Sequence, residues 1–146
     1  MPTQAKITHV VPPEEPPPLE SHGIILIIDE DARVREQLKN DLSQLGYAVV
    51  MAVNGPDGIK LANKHNPDAI VLDAQLSEVD GWRILAMLKN DTLLAHIPVI
   101  LIARADDQQE GLAQGAIECL EKTMLPGQLA AILEKYQIGD QYYKQQ

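Results

Sequence analysis

The chain has 146 residues, 45% of them hydrophobic, and a formal net charge of −9. That length suits a single domain, with an aliphatic core because Phe is absent and Trp occurs once. The acidic balance, with no basic stripe, argues against a nucleic-acid surface, and no apolar run approaches the roughly 20 residues that a membrane-spanning helix takes.

Residues 1–22 read as a proline-rich linker or tail. Val11-Pro12-Pro13-Glu14-Glu15-Pro16-Pro17-Pro18 lacks backbone donors and favours extended polyproline conformation; a ligand for a proline-binding domain is the functional counterpart of that reading. From Gly23 the chain alternates. Ile24–Ile28 is a continuous apolar run, the pattern of a strand buried on both faces. A helix follows over 31–45, with Val34, Leu38, Leu42 and Leu45 on one face and Gly46 closing it. Residues 47–53 read as the second strand. Gly55-Pro56 opens the second helix, with proline suited to its first turn, and Asn66-Pro67 ends it. Strand 69–72 precedes a helix over 81–90 that carries Ile84, Leu85 and Leu88. Strand 98–102 leads to a short helix, 106–114, stopped by Gly115, and 117–120 is the fifth strand. The last helix, 126–137, puts Leu129, Ile132, Leu133 and Tyr136 on one stripe. Residues 23–137 thus form one domain, and 138–146 are expected to be a polar tail.

Short apolar strands alternating with helices predict an α/β fold: a parallel sheet with helices on both faces. Such sheets hold their ligands at the carboxyl ends of the strands. There the chain carries Asp29-Glu30-Asp31 after the first strand, Asp73 at the end of the third, and Lys122 after the fifth. Asp31 is read as a helix N-cap. Asp29, Glu30 and Asp73 would converge, and their mutual repulsion calls for a hard cation. Mg²⁺ prefers oxygen ligands and typically takes one or two carboxylates plus a phosphate. A carboxylate beside it can attack a phosphoryl group and become an aspartyl phosphate, with Lys122 able to pair with a phosphoryl oxygen. Nothing else in the chain suggests chemistry. His9, His22, His65 and His96 lack zinc-ligand spacing. Cys119, the one cysteine, lies in an apolar strand and reads as core. No signal-peptide pattern opens the chain, and a single cysteine agrees with a cytoplasmic location.

These residues resemble the receiver domains of two-component response regulators, from Ile24 to about Tyr136. The matching pieces are Ile25-Leu26-Ile27-Ile28-Asp29-Glu30-Asp31, Pro67-Asp68-Ala69-Ile70-Val71-Leu72-Asp73, Asp80-Gly81, Ile97-Pro98-Val99-Ile100, and Gly115-Ala116 followed by Lys122. The resemblance implies a flavodoxin-like, doubly wound five-stranded sheet in the order 2-1-3-4-5. It implies that Asp73 is the phosphoacceptor, that Asp29, Asp73 and the Gln75 backbone carbonyl ligate Mg²⁺, with Glu30 acting through water, and that Lys122 contacts the phosphoryl group. The donor would be a phosphohistidine on a histidine kinase or histidine phosphotransfer protein. The chain would phosphorylate and dephosphorylate itself without acting on an outside substrate. A stand-alone regulator, the receiver segment of a hybrid kinase and a homodimer all fit this picture.

The chain departs from the family at the switch. The usual Ser or Thr at the end of the fourth strand is Ala103 or, in the other register, Ile102; neither has a hydroxyl. The usual aromatic of the fifth strand is Cys119. The usual Lys-Pro pair is Lys122-Thr123, expected to be trans because a non-proline cis bond costs about 2.5–4 kcal/mol. The fourth helix is short. The expectation is a phosphoacceptor with a non-standard switch; the other reading is a pseudo-receiver, an interaction module that is not phosphorylated.

Overall fold

The structure is a computed structural model that describes residues 21–139, apart from the side chains of Met124 and Pro126. Nearly all of the proline-rich segment, and residues 140–146, lie outside that range.

The elements in chain order are β1 (Ile24–Ile28), α1 (Ala32–Gln44), β2 (Ala48–Ala52), α2 (Gly55–His65), β3 (Ala69–Asp73), α3 (Gly81–Asn90), β4 (Val99–Ile102), α4 (Gln108–Ala113), β5 (Glu118–Leu120) and α5 (Leu125–Lys135). The five strands are parallel, in the order β2-β1-β3-β4-β5. This is the flavodoxin-like sheet that the sequence implies. One face packs against α1 and α5 through Ile25, Ile27, Val71, Leu38, Leu42 and Leu129. The other packs against α2 and α3 through Leu26, Ile28, Leu72, Ala62, Ile84 and Leu88. Strands covered on both sides are apolar at nearly every position, which is why they read as continuous runs rather than alternations.

Local chemistry sets the helix ends. The Asp31 side chain accepts the Arg33 amide at 2.9 Å and caps α1. Asn54 accepts the Asp57 amide and Asp80 the Arg83 amide, capping α2 and α3. Asn66, at φ 46°, closes α2 in the left-handed conformation that asparagine tolerates.

Several boundaries differ from those expected. The helix read over 106–114 is two pieces, a 3-10 turn over Ala105–Asp107 and then α4. A second such turn, Lys122–Met124, precedes α5. Leu45, placed on the buried stripe of α1, is 40% exposed, because it caps the helix rather than continuing it. Tyr136 is also largely exposed, and its hydroxyl donates to Glu118 at 2.8 Å. The polar tail expected from residue 138 starts instead inside the core. Ile138 is buried, and its carbonyl accepts the Tyr47 hydroxyl at 2.8 Å. No cis peptide occurs among the described residues, so Lys122–Thr123 is trans. Among the described residues no helix is long and apolar enough to cross a membrane.

Candidate functional site at the carboxyl edge of the sheet

The chain runs from β1 to β2 on one side of the sheet and on through β3, β4 and β5 on the other, so the topology reverses between β1 and β3. That reversal opens the crevice where doubly wound sheets bind ligands. Ile28 pairs with Leu72, which sets Asp29 beside Asp73 at the ends of these two strands. Asp73 pairs with Ile102 on its other side, and Ile102 with Leu120, so Lys122 arrives two residues beyond β5 on the same edge. The sheet register alone gathers the three groups.

Asp29 and Asp73 are the buried charged residues among the described residues, at 2% and 5% exposure. Asp73 Oδ1 accepts the Gln75 amide at 3.0 Å, and Lys122 Nζ lies 3.2 Å from Oδ2. Both carboxylate oxygens are therefore held. Gly81 fixes the backbone behind them: a Cβ there would lie 2.1 Å from the Asp73 carbonyl oxygen, so only glycine lets α3 start against this strand end. Asp29 Oδ1 accepts the Asp31 amide at 2.9 Å, and the Arg35 guanidinium donates to the Asp29 carbonyl at 2.8 Å.

Burial raises the Asp29 carboxyl from 3.8 to about 6, and the charge of Asp73 adds to the effect; the Asp31 amide and Lys122 oppose it only in part. Burial alone would depress the Lys122 ammonium, but the charges of Asp73 and Asp29 outweigh it and hold the group above its usual value. Glu30 reaches the same edge differently. It is exposed, and its carboxylate accepts both the hydroxyl and the amide of Ser77, bonds that lower its pKa. Glu30 thus ties the loop after β1 to the loop after β3, a role the sequence alone does not announce because Ser77 stands in no motif.

The donor set suits a hard divalent ion: two adjacent buried carboxylates, with the Gln75 backbone close by. Among the described residues no three or more His, Cys, Asp or Glu side chains gather as a metal-holding group. Any ion here would rest on two carboxylates, a main-chain carbonyl and water.

Beside Asp73 and Lys122 lies a cavity of about 360 Å³. Ile102 and Ala103 both line it, so either register leaves that position without a hydroxyl; Gln75, Arg104, Glu121 and Thr123 add polar groups to the rim. Reading the sequence by family motifs passes over Arg104, which stands next to an expected position rather than on it, and notes Thr123 only for its peptide bond. Cys119 is buried, and burial raises its thiol above the usual value, with the charge of Asp107 adding to this. A Cβ on Gly111 of α4 would lie 3.0 Å from Cys119 Sγ, so the helix sits directly on this side chain.

A parallel 2-1-3-4-5 sheet with an Asp–Asp–Lys edge is the frame of a receiver domain. The family model of the response regulator receiver domain matches residues 25–134, and the chain belongs to that family. It is 37% identical over 101 residues to the DNA-binding transcriptional regulator RpaA of Synechocystis, covering 67% of this chain and 42% of that protein. It is 37% identical over 105 residues to the response regulator PleD of Caulobacter vibrioides, covering 70% of this chain and 23% of that one. Among solved structures, a response regulator of Chloroflexus aurantiacus superposes with a TM-score of 0.73 at 26% identity, covering 77% of this chain and 95% of that one. The chain spans less than half the length of the two regulators RpaA and PleD.

Proposed function

We propose that this receiver domain takes a phosphoryl group onto Asp73 from a phosphohistidine of a histidine kinase or phosphotransfer protein. The observation that carries the proposal is the state of Asp73: a buried carboxylate, held by the Gln75 amide and Lys122 and set beside Asp29. One Asp73 oxygen would attack phosphorus while the P–N bond to the donor imidazole breaks. The bonding pair returns to the ring nitrogen, which takes up a proton. Lys122 would move from the carboxylate oxygen to a phosphoryl oxygen, keeping its charge compensated throughout. Asp29, Asp73 and the Gln75 carbonyl would hold Mg²⁺, with Glu30 acting through water. When bound, that ion offsets the negative charge gathered by two carboxylates and the incoming phosphoryl oxygens.

The switch in this reading is non-standard, since neither Ala103 nor Ile102 offers a hydroxyl and Cys119 replaces the usual aromatic. The same absence favours a second reading, a pseudo-receiver that uses the fold for protein contact alone. Intact-mass analysis after acetyl phosphate treatment with Mg²⁺ separates the two. One added phosphoryl group on the parent, and none on Asp73→Asn, is the expected result. A parent chain that gains nothing would favour the pseudo-receiver.

A further inference from the structure

The cavity beside Asp73 has room for a phosphoryl group but lacks the usual wall donor. Three oxygens of a group bound to Asp73 need partners, and Lys122 offers one. The position that would ordinarily offer a hydroxyl is Ala103 or Ile102, apolar in both cases. Arg104 follows directly. Asp73 and Ile102 face each other across β3 and β4, and Arg104, two residues further on, returns to the same side by the two-residue alternation of an extended chain. Its backbone is extended there, at φ −73° and ψ 157°.

Two further observations bear on this side chain. It lines the same cavity as Asp73 and Lys122. Among the described residues it makes no ion pair and no side-chain hydrogen bond, even though Glu121 shares the rim. An arginine that lines a cavity with a buried carboxylate and a lysine, uncommitted to any partner, leaves its guanidinium available to an anion. Its planar fork can donate two parallel bonds to one phosphoryl group.

We infer that Arg104 is a phosphoryl-binding residue of this receiver, donating to the oxygen that the absent hydroxyl leaves unpaired. The assignment rests on phosphoryl acceptance at Asp73, and it changes what the switch lacks. The lost hydroxyl is replaced as a ligand by a charged group from the next residue. It is not replaced as a device, because a solvent-exposed arginine drags no core side chain with it.

Calorimetric titration of the full chain with beryllofluoride in saturating Mg²⁺ tests the inference. The parent should bind the mimic, and Arg104→Ala should bind about tenfold more weakly or worse, the loss expected for a bond to a charged group. Arg104→Lys should fall between them. Adding Ala103→Thr to Arg104→Ala should recover part of the loss, and adding it to the parent should gain less, the non-additivity expected when two donors serve the same oxygen. Thr123→Ala, which removes a neutral donor of the rim, should change affinity less than about twofold, since a neutral hydroxyl at the surface contributes little. A parent that binds no mimic overturns the proposed function and this assignment together. A parent that binds, with Arg104→Ala equal to it, overturns this assignment alone; so does a large loss in Thr123→Ala with none in Arg104→Ala.

Discussion

Asp29 and Asp73 bring like charges into one buried corner, and Asp29 absorbs the conflict. Its carboxyl titrates near 6 in the folded chain and near 4 once unfolded. The folded state therefore binds the proton more tightly, and stability falls as pH rises from about 4 to 6, staying reduced above that range. With Mg²⁺ chelated, Asp29→Asn should be more stable than the parent at pH 7.5, by on the order of 2 kcal/mol. The gain should shrink as pH falls through 6 toward 4. Urea unfolding in EDTA at several pH values measures it, and a less stable Asp29→Asn at pH 7.5 would contradict the account. The positions of Asp29 and Asp73 were legible in the sequence because each closes a continuous apolar run, while Lys122, two residues past the short β5, was placed as the one lysine near that edge. The Ser77 bonds of Glu30 and the place of Arg104 were not, since they depend on how two loops fold over the strand ends.

At the scale of elements, the signal-bearing half of a receiver is where this chain is least conventional. Cys119 is packed beneath Gly111, and each is small because the other is close. An aromatic at 119 would need α4 to lift away, and a side chain as small as cysteine has no large second position to swing into. Coupling to a second conformation requires contacts that differ between the two states, and in the proposed reading Cys119 does not supply them. Beryllofluoride binding should therefore shift backbone amide signals in the loops after β1, β3, β4 and β5, where the proposed contacts lie, and leave α4, β5 and α5 nearly unchanged. Large shifts across residues 106–136 would show that another device transmits the signal. The strands and long helices were legible from periodicity. The break of the fourth helix into a 3-10 turn and a short α4 was not, because Asp106-Asp107-Gln108-Gln109 suits either geometry and the packing against β5 decides.

Taken whole, the molecule is a sheet whose register does the assembly: β1–β3 pairing brings two carboxylates together, and β3–β4–β5 pairing adds the ammonium. The strand order was not readable from strand patterns alone and came through the resemblance to a family. Ile138 follows a helix stop and precedes polar residues, so its burial, with its carbonyl accepting the Tyr47 hydroxyl, was not legible in the sequence. The proposed function gives Asp73 one new bond, made through a carboxylate oxygen. Treating the acetyl phosphate-labelled chain with borohydride reduces an acyl phosphate to an alcohol, and peptide mapping then locates the altered residue. The account predicts homoserine at position 73 and nowhere else. Homoserine at Asp29 or another carboxylate, or a labelled chain with position 73 unaltered, would contradict it.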